Sequence, residues 1–236
     1  MVALTLRLAI LNALPFVLVL LVDAMPGLAP LWDFANAAGL LGGVILLLLF
    51  AYSGRPMSRP YFDGKFFMVL HRDLGYAALF LLLLHVGLLL VDEPLVVEYL
   101  LPSASLPMLS GTLAALLLLV LVPISLPAIR QRLWRHHLRF RRWHYGISTV
   151  LLVLLAVHVI GAGFYTATRW KAVFWGVITV CALFWPLLPR RPLAPVDGRR
   201  RRNTAVFASR LCAGLLVFAL CLAGGFALLA NSDLPL

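Results

Sequence analysis

The chain has 236 residues, of which 63% are hydrophobic and only 12% charged, with a mean hydropathy of +0.99. Soluble domains run nearer half apolar and a quarter charged, so the solvent for most of this protein is lipid, and nothing points to disorder, a coiled coil or a repeat array. The net charge of +11 invites a nucleic-acid partner, but the charges fall in short runs between long apolar segments, the pattern of membrane topology, and none is expected.

A spanning helix needs about 20 apolar residues, because the hydrocarbon core is about 30 Å thick and each helical residue rises about 1.5 Å. Seven segments meet that length: residues 4–22, 34–52, 66–91, 108–129, 142–164, 172–188 and 205–230. The first is the weakest, since it is short, contains Arg7 and is interrupted by Pro15. A signal sequence is the other reading of it, but its charged start is thin and no clean small-residue cleavage site follows, so it is read as a retained helix. The expected fold class is therefore all-α integral membrane, a bundle of about seven transmembrane helices. It divides into residues 1–35 (first helix and loop), 36–188 (the core) and 189–236 (a basic loop and the last helix).

Charge sets the orientation. Of the 20 Lys and Arg, all but Arg169 and Lys171 collect on one side, while Asp23, Asp33, Asp92, Glu93, Glu98 and Asp233 gather on the other. The positive-inside rule then puts the N-terminus in the cytoplasm and the C-terminus outside. The compartment is a bacterial inner (plasma) membrane, the bacterial assignment resting on heavy use of Arg, Leu and Ala. No loop is long enough to hide a soluble domain, and no glycine-rich dinucleotide fingerprint follows a strand, so flavin or nicotinamide chemistry is expected on a partner protein. Cys181, Cys212 and Cys221 lie in apolar stretches with no CxxC or Cys/His zinc spacing, and read as small apolar packing residues.

Six histidines remain. His136 and His137 fall in the basic loop between the fourth and fifth segments, where solvated side chains are expected. His71 and His85 share the third segment, and His144 and His158 share the fifth, fourteen residues apart in each case. Fourteen residues make about 3.9 turns, so both histidines of a helix point to nearly the same face, about 21 Å apart along the axis. The third and fifth helices run in the same direction, which brings His71 to the depth of His144 and His85 to that of His158. If the two helices face each other, two stacked pairs result, each able to sandwich a haem iron between helices three and five. A lone histidine in a membrane helix can equally hydrogen-bond a neighbour. Four with duplicated spacing are harder to assign that way, because ionisable residues at membrane depth are costly. Zinc or copper sites lack close i, i+4 ligand sets and thiolates on these helices. A haem-free transporter or proton channel using the histidines is the reading from another class, and it predicts a colourless protein.

Two axial histidines fill the coordination sphere of iron, so such haems move electrons rather than bind substrate. Each ligand's second ring nitrogen should donate to a carbonyl or other acceptor, fixing its tautomer. Gly75, Gly87, Gly146, Gly161 and Gly163 flank the histidines and either make room for a porphyrin or let helices pack closely. Haem propionates want basic partners. Arg72, Arg141 and Arg142 are placed for an inner haem, and Arg169 and Lys171 for an outer one.

The runs HRDLGYAALFLLLLH, from His71 to His85, and HYGISTVLLVLLAVH, from His144 to His158, resemble the ferric reductase-like transmembrane domain. That family is shared by ferric reductases, NADPH oxidases and the bacterial haem subunit of methionine sulfoxide reductase. The resemblance covers residues 36–188, with GLLGGVILLLLFAYSGRP resembling the family's preceding helix. Respiratory cytochrome b also carries two histidine pairs; the HR..G pattern after the first ligand favours the ferric reductase family. The resemblance implies that His71, His85, His144 and His158 ligate two b-type haems. It implies a membrane oxidoreductase subunit passing electrons from a cytoplasmic flavoprotein reductase or quinol to a ferric chelate, oxygen or a periplasmic redox protein outside. An alternative is a quinol-linked haem subunit or membrane anchor for a periplasmic reductase. The sequence departs from full-length ferric reductases and NADPH oxidases in holding no C-terminal FAD and NAD(P)H module, and in having a seventh helix beyond the six-helix core.

Overall fold

A computed structural model describes residues 2–23, 27–53, 64–134, 136–188 and 204–232. Of the charges that set the expected orientation, Arg55, Arg59, Arg135, Arg190, Arg191, the run 199–202 and Asp233 lie outside the described residues. The helices are α1 (Val2–Leu20), α2 (Pro30–Ala51), α3 (Gly64–Asp92), α4 (Leu106–Ser125), a short α5 (Pro127–Leu133), α6 (His137–Ala162), α7 (Arg169–Phe184) and α8 (Thr204–Ala230). Two 3₁₀ turns, Pro94–Leu100 and Trp185–Leu187, complete the described structure, which has no strand. Seven of these helices are long and apolar enough to cross a membrane. The protein is an all-α multi-pass membrane bundle.

Two boundaries differ from the sequence reading, each for a physical reason. The fourth apolar segment was expected to run to residue 129, but α4 ends at Ser125 and Leu126 turns extended with ψ 137°. Pro127 disfavours the helical conformation in the residue before it and has no N–H to donate, so the chain restarts as α5 from that proline. The fifth span was expected from residue 142, but α6 begins at His137. Apolarity marks only the part in hydrocarbon, while Leu138, Arg139, Arg141 and Arg142 are sound helix formers whose charged ends reach water along an exposed helix face. So His137, Arg139 and Arg141, which fell ahead of the expected span, are helical. At its other end α6 stops at Gly163, whose φ of +72° is the left-handed cap that glycine adopts without a Cβ penalty.

The helix α2 is the centre of the bundle. It packs on α1, α3, α7 and α8, and its Ala- and Gly-rich stretch ANAAGLLGG lets neighbours approach closely. A Cβ on Gly42 would come within 3.3 Å of the Leu81 Cβ on α3. The helix α1 packs on α2 and α8 and buries Leu4, Leu8, Asn12, Phe16 and Val19, a stripe at helical spacing. A second unit pairs α4 with α6 around Ala114, Leu118, Leu121 and Leu151. By contrast α3 and α6 make no extensive backbone contact with one another. The bundle thus has two hairpins, α2–α3 and α4–α6, with α8 against the first.

Charge distinguishes the two ends of the bundle. Among the described residues Lys65, Arg72, Arg130, Arg132, Arg139, Arg141 and Arg142 mark the basic end, and Asp23, Asp33, Asp92, Glu93 and Glu98 the acidic end. At the acidic end Asp33 is buried and ties three segments together. Its Oδ1 accepts from the Tyr165 hydroxyl at 2.6 Å, and its Oδ2 from the Leu28 N–H at 3.0 Å and the Asn231 amide at 2.8 Å. Burial, reinforced by this hydrogen bond and the carboxylate charge, pushes the Tyr165 phenol well above its usual range, so it stays a donor. None of the three cysteines is in a disulfide; Cys212 is buried and the other two are exposed on helix faces.

Candidate functional site

The four histidines of α3 and α6 are all half-buried. His71 and His144 meet near the basic end with ring centroids 6.0 Å apart and planes tilted by 59°. His85 and His158 lie fourteen residues further along the same two helices, nearer the acidic end. Each ring is held at Nδ1. His71 donates to the Tyr52 carbonyl at 3.2 Å, His85 to the Ala35 carbonyl at 2.9 Å and His158 to the Pro107 carbonyl at 3.0 Å. The fourth, His144, lies 3.2 Å from the Ser125 hydroxyl, which itself donates to the Leu121 carbonyl at 2.7 Å. Since that hydroxyl's one proton is spent on Leu121, its oxygen accepts from His144.

This fixes four tautomers. A carbonyl oxygen only accepts, so His71, His85 and His158 carry the proton on Nδ1 and present the Nε2 lone pair, and the Ser125 hydroxyl, with its proton committed to Leu121, asks the same of His144. A backbone-held Nδ1–H with a bare Nε2 is the arrangement of a metal-ligating histidine, whose outer hydrogen bond orients the ring and raises its basicity. A metal–imidazole bond is about 2.0–2.1 Å, so one ion between two rings sets their centroids roughly 6 Å apart. Among the described residues no group of three or more His, Cys, Asp or Glu could hold a metal ion. The histidines therefore do not make a protein-only zinc centre, which takes three or four protein ligands, and a metal held by two of them would have to bring further ligands of its own.

The acceptors come in duplicate. They lie at the two ends of α2 (Ala35 and Tyr52) and the two ends of α4 (Pro107 and Ser125). Ala35 and Pro107 are 72 positions apart, while Tyr52 and Ser125, His71 and His144, and His85 and His158 are each 73 apart. The hairpins α2–α3 and α4–α6 therefore present the same arrangement twice, running in the same direction. None of these partners was picked out by sequence reasoning, and the offset is the signal that finds them.

The other expected residues divide. Arg72 is exposed and pairs with Asp73 at 2.8 Å, and Asp73 also accepts from Ser209 on α8 at 2.6 Å. Arg141, Arg142 and Arg169 are exposed. Lys171 is buried and donates to the Asp23 backbone carbonyl at 2.9 Å. His136 and His137 are exposed, as expected for histidines outside the core. Of the flanking glycines, Gly161 is a packing residue, because a Cβ there would strike Pro107 at 2.5 Å, and Gly163 is the α6 cap. A Cβ on Gly75, Gly87 or Gly146 meets nothing within 4 Å, so close helix contact is not what calls for glycine there.

The family model for the ferric reductase like transmembrane component matches residues 38–156, just over half of the chain. The chain belongs to this family. The match takes in His71, His85 and His144 and ends two residues before His158. No curated protein and no solved structure matches significantly. Membership makes this a ferric reductase-like membrane protein, of a family that generally binds haem and works in transmembrane electron transfer and membrane oxidoreduction.

Proposed function

We propose that the chain carries electrons across the membrane on two b-type haems, one held by His71 and His144 and the other by His85 and His158. The observation that carries this reading is the tethering of all four rings at Nδ1, which leaves four Nε2 donors in two pairs. Haem held by two histidines would supply a one-electron Fe(III)/Fe(II) couple suited to electron transfer rather than substrate binding. The tethers hold the rings in place in either oxidation state, so little reorganisation accompanies the transfer.

In this reading the basic end faces the cytoplasm of a bacterial inner membrane, with the N-terminus inside and the C-terminus outside, as the charge asymmetry and the positive-inside rule favour. Electrons enter there from a flavoprotein reductase or a quinol and leave at the acidic end to a ferric chelate, oxygen or a periplasmic redox protein. Ferric reduction needs only outer-sphere delivery, so no further catalytic side chain is required. For propionates at the basic end the candidates are Arg141, three residues before His144 and hence on a neighbouring helix face, then Arg142 and Arg72, the last already paired with Asp73. At the acidic end Arg169 is exposed, whereas Lys171 is engaged by Asp23.

Vesicles reconstituted with the protein, enclosing a reduced quinol and facing an external ferric chelate, test the reading. External ferrous iron should form with quinol alone, or on adding a flavoprotein reductase and NAD(P)H inside. No ferrous iron with either donor, from protein carrying both haems, would contradict the proposed direction and acceptor. Ser125→Ala removes the acceptor for His144 and so lowers that ligand's basicity. A potentiometric titration should show one midpoint potential move upward, because the ferric state loses more stabilisation, while the other stays put.

A further inference from the structure

We propose that Gly39 and Gly111 are positioning residues for the acidic-end histidine pair, each kept without a side chain so that an imidazole can lie against its helix turn. A Cβ on Gly39 would sit 2.7 Å from both Cγ and Nδ1 of His85, and a Cβ on Gly111 2.5 Å from Nδ1 and 2.7 Å from Cγ of His158. Contacts below 3.0 Å do not occur for real Cβ atoms, so either the ring or the helix would have to move. Each glycine stands four residues after the carbonyl that its histidine uses, Ala35 for Gly39 and Pro107 for Gly111. In an α-helix the residue four positions on lies directly over that carbonyl, one turn along the same face. A ring can reach a carbonyl inside a helix only by crossing that residue's Cβ position, and glycine leaves it open.

The basic-end pair confirms the logic by contrast. Tyr52 caps α2, so the carbonyl that His71 uses lies at a helix end, and His144 uses the Ser125 side-chain hydroxyl rather than a carbonyl inside a helix. No glycine is needed there, and residues 56 and 129, which follow by four, are Pro and Ile. Gly39 and Gly111 are themselves 72 positions apart, the offset that separates Ala35 from Pro107. One steric solution thus appears twice. The two glycines hold the Nδ1 bonds at 2.9 and 3.0 Å, and through them the orientation and basicity of both rings.

This inference rests on the haem reading above, and the experiment separates the two. Gly39→Ala, Gly111→Ala and, as a control, Gly214→Ala, where a Cβ meets nothing within 4 Å, are purified. Each is measured for haem content, midpoint potentials and the low-spin electron paramagnetic resonance signals. Loss of an outer hydrogen bond to a ligand typically costs about 10–100-fold in metal affinity. Gly39→Ala and Gly111→Ala should each lose or shift one of two haem signals and keep the other, while Gly214→Ala changes neither. Two unaltered haems in both variants would overturn the proposal and leave the ligand assignment standing. Wild-type protein without haem would instead overturn the ligand assignment. Should either variant fail to accumulate, the cycle with the ring removed decides: Gly39→Ala/His85→Ala should accumulate and melt like His85→Ala alone, because the methyl then has room. A double variant as impaired as the two single losses summed would show that Gly39 serves something other than His85, and would overturn the proposal.

Discussion

His85→Ala is expected to leave the purified protein with one haem in place of two and to stop electron delivery across the membrane. The imidazole of His85 is fixed by the Ala35 carbonyl and no other His, Cys, Asp or Glu among the described residues gathers with it to take over. The His71/His144 site lies about 21 Å away along the helix axis and keeps its own tethers, so it should hold its haem. His85→Ala/His158→Ala should be no worse than either single variant, since residues serving one centre are not additive. The exposed pair supplies the control, and His136→Ala/His137→Ala should retain both haems. Unchanged haem content in His85→Ala would sink the pairing scheme.

The second large effect is expected on stability. Asp33→Ala removes the acceptor shared by the Leu28 N–H, the Tyr165 hydroxyl and the Asn231 amide at a position that is 1% exposed. Each buried donor left unpaired costs about 1–3 kcal/mol, so the variant should lose about 3 kcal/mol or more. The loss falls on the contact between the start of α2, the turn after α6 and the end of α8. Melting in detergent, followed by release of bound pigment or by light scattering, should shift down by several degrees. Tyr165→Phe should show a smaller shift, because it removes one donor and leaves the carboxylate two. Haem content before melting should be unchanged, since no histidine tether involves Asp33. A melting point equal to wild type would show that the cluster does not hold the acidic end together.

Much of this was legible in the sequence because helical geometry is one-dimensional. Fourteen residues between His71 and His85 translate directly into one helix face and two depths, and apolar length alone marks seven spans. What holds the rings was not legible. Ala35 and Pro107 contribute backbone carbonyls, which every residue possesses, from helices 50 and 51 positions away from their histidines. Ser125 carried a clue, since it stands just ahead of Pro127 where a helix must end, but apolarity ran on to Ile129 and hid the break. The glycines misled in an instructive way. Those beside the histidines on their own helices drew notice, whereas Gly39 and Gly111 lie on the helices the rings lean against. Proximity in sequence is a poor guide to contact across a bundle, and the repeated offset of 72 to 73 is the better one.

The most direct test of the central claim is a reduced-minus-oxidised visible spectrum of the detergent-purified protein, with a pyridine haemochrome assay for stoichiometry. The histidine geometry predicts two low-spin b-type haems per chain. A protein with full helical content and no haem would contradict it, and would return the four histidines to hydrogen bonding or proton movement within the membrane.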